Sequence, residues 1–212
     1  MAQPFLHVVP PFSQTVHYTA GQVIFNPGDA ADAFSMIQSG EVRMYDVMTN
    51  GTERLLDILG PEDWVGYAAL AQFPSHGRRA VAVTDVTLNS IPVSKLRKFV
   101  AEHPDLTVGL IEKLARSLHQ AWAEGSRFVF DDCRLRLIKT LLRFSHSSAA
   151  KPSGEGVILR ITHKQLAQAV GAARETVSVC LTELRHKKIV RTGRNQLSFN
   201  PKQLQEMDHA EE

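Results

Sequence analysis

The sequence predicts an α+β protein in three parts: a strand-rich region over 1–102, a long helix and hinge over 103–131, and a helical module over 132–212. Three observations carry this. Short runs of alternating hydrophobicity, punctuated by glycine turns, fill the N-terminal region. An apolar stripe stepping by three and four residues follows, from Ile111 to Phe128. Ile161–Leu184 then reads as two short helices joined by a tight turn, with a hairpin pattern behind them.

Residues 1–16 hold Pro10-Pro11 and little periodicity, which predicts an irregular lead-in or a short helix. From His17 the period is two: Val23 and Phe25, Phe34 and Met36, Val42 and Met44, Leu55 to Leu59, and Val81 and Val83 alternate with polar neighbours. Gly21, Pro27-Gly28-Asp29, Ser39-Gly40, Asn50-Gly51 and Gly60-Pro61 supply the turns, and Asn-Gly between alternating runs is a hairpin signal. Evenly spaced short strands of this kind argue for a β-barrel or sandwich. Pro92–Val100 reads as a short helix.

Pro104 stands in the first turn of the long helix. Its stripe, Ile111, Leu114, Leu118, Ala121, Gly125 and Phe128, has the seam spacing of a coiled coil. A helix packed on its own domain gives the same pattern; the length of this one favours a dimer seam. Gly125 lets two helices approach closely or bend. Asp131-Asp132 suits a hinge or an N-cap for a helix over Arg134–Phe144, and Ser145–Gly156 has the composition of a surface loop.

The helix pair is the most specific signal. Thr162 has N-cap chemistry, and Gln165 three residues on completes a capping box. Leu166, Ala167 and Val170 keep helical spacing until Gly171, which takes a left-handed turn cheaply. The second helix sets Arg174, Glu175 and Ser178 on one side and Val177, Cys180, Leu181 and Leu184 on the other. A helix-turn-helix places the start of its second helix in the DNA major groove. There the Arg174 guanidinium suits a guanine edge and the Glu175 carboxylate a cytosine amino group, with Ser178 a third base-reading candidate. A carboxylate turned towards a polyanion serves sequence reading rather than affinity. Ile189–Phe199 fits a two-stranded wing around Gly193. Thr162, Lys164, Thr176, Arg191 and Arg194 are the candidates for phosphate contacts, which add affinity without sequence information. Pro201–Met207 reads as a closing helix.

The net charge is only +2, yet Arg185, Lys187, Lys188, Arg191 and Arg194 cluster in a stretch free of acids from 185 to 205. Two cysteines, Cys133 and Cys180, have no metal-type spacing; Cys180 falls on an apolar helix face and reads as core. No segment approaches transmembrane length and the N-terminus lacks a signal pattern, so a cytoplasmic protein without a membrane partner is expected.

The stretches ITHKQLAQAVGAARETVS and HPDLTVGLIEKLARSL, together with the glycine run of the first hundred residues, resemble the CRP/FNR family of regulators (cyclic-AMP receptor protein and fumarate-nitrate regulator). The resemblance spans nearly the whole chain. It implies a cyclic-nucleotide-binding-type β-roll, a long dimerisation helix and a C-terminal winged helix-turn-helix, in a homodimeric transcription regulator acting on a palindromic site in double-stranded DNA. It also implies an activator role, with the loop at Ser145–Gly156 touching RNA polymerase. Arg174 and Glu175 match the family pattern, so part of a TGTGA-type half-site is expected to survive. Val179 stands where family members often carry a further base-contacting Arg, which predicts relaxed preference at that base pair.

The effector region departs from the family. Cyclic-AMP binders use a Gly-Glu pair for the ribose, an Arg-Ser pair for the phosphate and a Thr-Ser pair for the base. Here these positions read Gly66-Tyr67, His76-Gly77-Arg78-Arg79-Ala80 and Ala121-Trp122. A buried phosphodiester needs cation and donors together, so cyclic AMP is not expected; Gly66, Tyr67, Arg78, Arg79 and Trp122 are the pocket candidates. Haem is not expected either, since the spacing of His7, His17, His76 and His119 singles out no ligand pair. Two cysteines cannot hold a four-ligand iron–sulfur cluster. No cofactor is therefore expected. A regulator sensing cyclic nucleotide, haem-bound gas or redox state is the alternative. A bare ligand-binding module would leave 161–199 without a purpose, and no nucleophile elbow, zinc-protease or phosphate-loop motif suggests an enzyme.

Overall fold

The computed structural model describes residues 12–71, 73–102, 132–154 and 156–211, and between 103 and 131 only 104, 107–109, 111, 112, 114, 115, 118 and 119. The strands are β1 (Gln14–Tyr18), β2 (Val23–Phe25), β3 (Ala33–Ser39), β4 (Val42–Val47), β5 (Glu53–Leu59), β6 (Trp64–Val65), β7 (Arg79–Ala82), β8 (Val86–Pro92), β9 (Lys151–Ser153), β10 (Gly156–Leu159), β11 (Val190–Gly193) and β12 (Gln196–Phe199). The helices are α1 (Tyr67–Leu70), α2 (Val93–Glu102), α3 (Cys133–Ser145), α4 (His163–Val170), α5 (Arg174–His186) and α6 (Pro201–Glu211). The fold is the expected α+β. The described residues between 104 and 119 are helical, and no helix among the described residues is long and apolar enough to cross a membrane.

By contacts the chain forms two compact units, residues 1–42 with 60–129, and 43–59 with 130–212. In the first, an antiparallel sheet runs β1-β8-β3-β6, and β2 pairs with β7. One face of the sheet carries Phe34, Met36, Trp64 and Ile91, with Phe12, Tyr67 and Leu70 against them. The Phe34 and Trp64 rings stack at 4.5 Å, and Tyr67 meets Phe34 edge-on at 5.3 Å. The other face carries Val16, Tyr18, Ser35, Leu88 and Ser90, as strand alternation requires. The first strand begins at Gln14, inside the stretch read as an irregular lead-in, and β8 was hidden because Thr87, Asn89 and Ser90 break its apolar rhythm. Asn89 is buried all the same.

In the second unit α3, α4, α5 and α6 pack with the sheet β11-β12-β10-β9 around Leu141, Phe144, Leu166, Leu184 and Leu197, all essentially without solvent exposure. Asp132 is the N-cap of α3, its carboxylate accepting from the Leu135 amide at 2.8 Å. The stretch Ser145–Gly156 is not all loop: β9 pairs with β10 from within it. Pro152 disguises that strand, and its place at the end of the sheet order is where a residue without an amide proton is tolerated. The closing helix runs on to Glu211, beyond the expected Met207. The hairpin of β4 and β5, read from sequence as part of the strand region, groups with this unit. Arg43 donates through Nη2 to the Arg160 carbonyl, and Arg143 Nη1 donates to the Leu56 carbonyl at 2.7 Å.

Candidate functional site

The helix pair α4–α5 is built by local chemistry. Thr162 sits in extended backbone, its Oγ1 accepts from the Gln165 amide, and Gln165 Oε1 accepts from the Thr162 amide at 2.9 Å, so the capping box is complete. Gly171 adopts φ 69° and ψ 44°, and its amide closes the helix on the Ala167 carbonyl at 2.9 Å. Any side chain there would carry the strain of a left-handed residue. The Arg136 guanidinium donates to the last carbonyl of α4, that of Val170, at 3.1 Å. Val177, Cys180, Leu181 and Leu184 then bury one side of α5 and orient the other outward. Arg174, Glu175 and Thr176 are exposed and Ser178 is half-buried. The N-cap of α5 is Ala173, which offers no side-chain hydrogen bond to the helix start.

Sequence reasoning missed His163. Its Nδ1 lies 3.0 Å from Ser178 Oγ, tying the first residue of α4 to the reading face of α5. The two are 15 residues apart, so no spacing rule links them; the only signal was a ring-bearing polar residue at the start of the first helix.

The wing is present as β11 and β12, but its turn lies one step beyond the expected centre. Gly193 pairs with Gln196, and Arg194-Asn195 make the turn, Asn195 taking φ 56°. Arg191, Arg194 and Lys164 are exposed. Burial pushes the Cys180 thiol up to about 11, aided by the adjacent Cys133 with which it shares a hydrogen bond; a protonated, buried thiol is a packing group. Of the seam candidates, Ile111, Leu114 and Leu118 are helical and 59%, 39% and 50% exposed. Ala121, Gly125 and Phe128 lie outside the described residues.

In the first unit a cavity of about 230 Å³ opens between the β1–β8–β3 face and the β2 strand. Asp29, Asp32, Ser35, Ser90, Tyr18 and His76 give it its polar lining. The buried His76 ring stacks on Phe25 at 3.8 Å. Its pKa is lowered by burial, against the pull of Asp29 and Asp32. Burial also raises the Tyr18 phenol. Of the four described residues among the five expected to form a pocket, the structure brings Gly66 alone to this cavity. Gly66 has φ 90°, and a Cβ would stand 2.5 Å from the Ala33 carbonyl oxygen, so close backbone approach dictates it. Tyr67 packs on Phe34, on the other face of β3. Arg79 Nε donates to Asn26 Oδ1 at 2.9 Å, Arg78 is exposed, and Trp122 lies outside the described residues.

Comparison with known proteins matches these regions one by one. The family model described as cyclic nucleotide-binding domain covers residues 15–103, and that described as Crp-like helix-turn-helix domain covers 135–207. A CRP-like cAMP-activated global transcriptional regulator of Mycobacterium tuberculosis is 31% identical over 84% of this chain and 80% of its own. The chain belongs to the CRP/FNR family. Within that family, a cyclic AMP receptor protein of Thermus thermophilus is 32% identical over 83% of this chain and 79% of its own. A solved CRP/FNR transcriptional regulator of the same organism superposes with a TM-score of 0.72 at 29% identity, covering 92% of this chain and 98% of that one. The protein is thus a DNA-binding transcription regulator of the CRP type, and these relatives are regulators rather than enzymes.

Proposed function

We propose that the protein is a homodimeric transcription activator that reads a palindromic DNA site through α5 and does so without cyclic AMP. The observation that carries this is the exposed pair Arg174 and Glu175 with the half-buried Ser178 beside them, held outward by a buried opposite face on a helix-turn-helix whose first helix is capped. Arg174, Glu175 and Ser178 read base edges; Thr162, Lys164, Thr176, Arg191 and Arg194 meet phosphates. The dimer is supported by Ile111, Leu114 and Leu118, large apolar side chains exposed at seam spacing in a single chain; the occupant of that stripe is a second copy. Leu118→Glu sets like charges across the seam, and light scattering at micromolar concentration is expected to report monomer; a persisting dimer removes the seam assignment. RNA polymerase is the expected partner at the promoter, through the Ser145–Gly156 region.

Independence from cyclic AMP is supported by the cavity. Its carboxylates, Asp29 and Asp32, oppose an anionic phosphodiester, and neither Arg78 nor Arg79 lines it. An effector-dependent regulator is the second reading, favoured by relatives named as cAMP-activated. Fluorescence anisotropy on a palindromic TGTGA-type duplex and a scrambled one, with and without cyclic AMP, decides between them. Selective binding with nothing added is the expected result; selectivity that appears only with the nucleotide overturns the first reading and supports the second.

A further inference from the structure

Val179 lies among the reading residues but cannot form a hydrogen bond through its side chain. It is 59% exposed. At about 100° per residue in a helix of 3.6 residues per turn, it projects roughly 150° away from the centre of the buried side formed by Val177, Cys180, Leu181 and Leu184. Glu175 precedes it by one turn on the same face, and Ser178 is its neighbour. Neither solvation nor helix propensity accounts for a β-branched apolar residue there. The base edges of the major groove are donors and acceptors, which an isopropyl group would strip of water without replacing the hydrogen bond. The exception is the C5-methyl group of thymine.

We infer that Val179 is a specificity-determining residue that packs on a thymine methyl, so that this position of α5 selects a T·A pair rather than tolerating any pair. The inference rests on α5 being the DNA-reading helix. Val179 is five residues beyond Arg174, about 7.5 Å along the axis at 1.5 Å per residue. That is roughly two base-pair steps of 3.4 Å, which puts the thymine about two steps from the pair contacted by Arg174.

The test uses the full-length protein. Selection from random duplexes first defines the half-site, and Arg174→Ala identifies the pair that Arg174 reads. Each thymine of the half-site is then replaced by deoxyuridine, which deletes only the methyl group. One replacement, about two steps from the Arg174 pair, is expected to weaken the wild type about fourfold, the factor of one buried methyl, and to leave Val179→Ala unaffected. Val179→Arg is expected to move the preference at that pair from T·A to G·C. If no deoxyuridine weakens binding, or Val179→Ala loses as much as wild type, the role of Val179 is overturned while Arg174-dependent selectivity stands. If Arg174→Ala leaves selectivity intact, it is the assignment of α5 as reading helix that falls, and this inference with it.

Discussion

The C-terminal module and the β-roll put their polar residues to opposite uses. On α5 the charged residues Arg174 and Glu175 stand in solvent, and the buried side of the helix is wholly apolar. In the roll, Asp29, Asp32 and His76 line a cavity, and burial alters the histidine's proton affinity. A rigid outside ligand such as a duplex is read by side chains that are free to reach it, on a scaffold that is not free to move. A small ligand is read by groups already partly removed from water, whose charge then depends on their surroundings. The first arrangement draws its precision from the core behind it, the second from the field inside it.

The largest expected effect breaks the first arrangement from behind. Leu184 has no exposed surface, and Leu184→Ala is expected to cost about 2–5 kcal/mol of stability, measured by denaturant unfolding; a loss under half a kcal/mol would mean that the core does not hold α5. Next comes the outward face. Arg174→Ala should cost about 1–3 kcal/mol on a cognate duplex and much less on random sequence; equal losses in a binding titration would take Arg174 out of base reading. Lys164→Ala sharpens the distinction, since it should weaken all sequences alike and lower the slope of log affinity against log salt by about one. The smallest effect belongs to the roll. His76 has a folded pKa below its ordinary value of 6.5. The unfolded chain therefore binds its proton first, and the contribution of the neutral ring is full above 6.5 and declines as pH falls from there to the folded value. His76→Gln should remove that segment of the stability–pH curve, and an unchanged curve would deny His76 its neutral buried state.

The same contrast governs what could be read from sequence. Thr162, Gln165 and Gly171 announced their helix because capping is decided within three or four residues. The apolar face of α5 was equally legible, since its period is local. The His163–Ser178 bond was not, because it closes between two elements. The cavity was harder still: its polar lining comes from β1, the turn after β2, β3, the segment before β7, and β8. Family correspondence pointed instead to Arg78, Arg79 and Tyr67, whose side chains turn to solvent, to Asn26 and to Phe34. Residue type at a matching position does not fix where a side chain is anchored. Pro152 shows the converse: its usual reading as a loop residue concealed an edge strand.

Ala173 has a consequence that can be timed. With no side chain to cap α5, the amides of Glu175 and Thr176 find no partner within the helix, and the first helical bond is that of Val177 to the Ala173 carbonyl at 3.1 Å. In the free protein those two amides should trade their hydrogens with heavy water far sooner than Leu181 or Leu184 do. A phosphate at Thr176 would take the place of the missing cap, so the same two amides should slow when DNA binds. If α5 reads DNA as proposed, part of its order is supplied by the duplex, and the exchange of those two amides reports whether the protein is on its site.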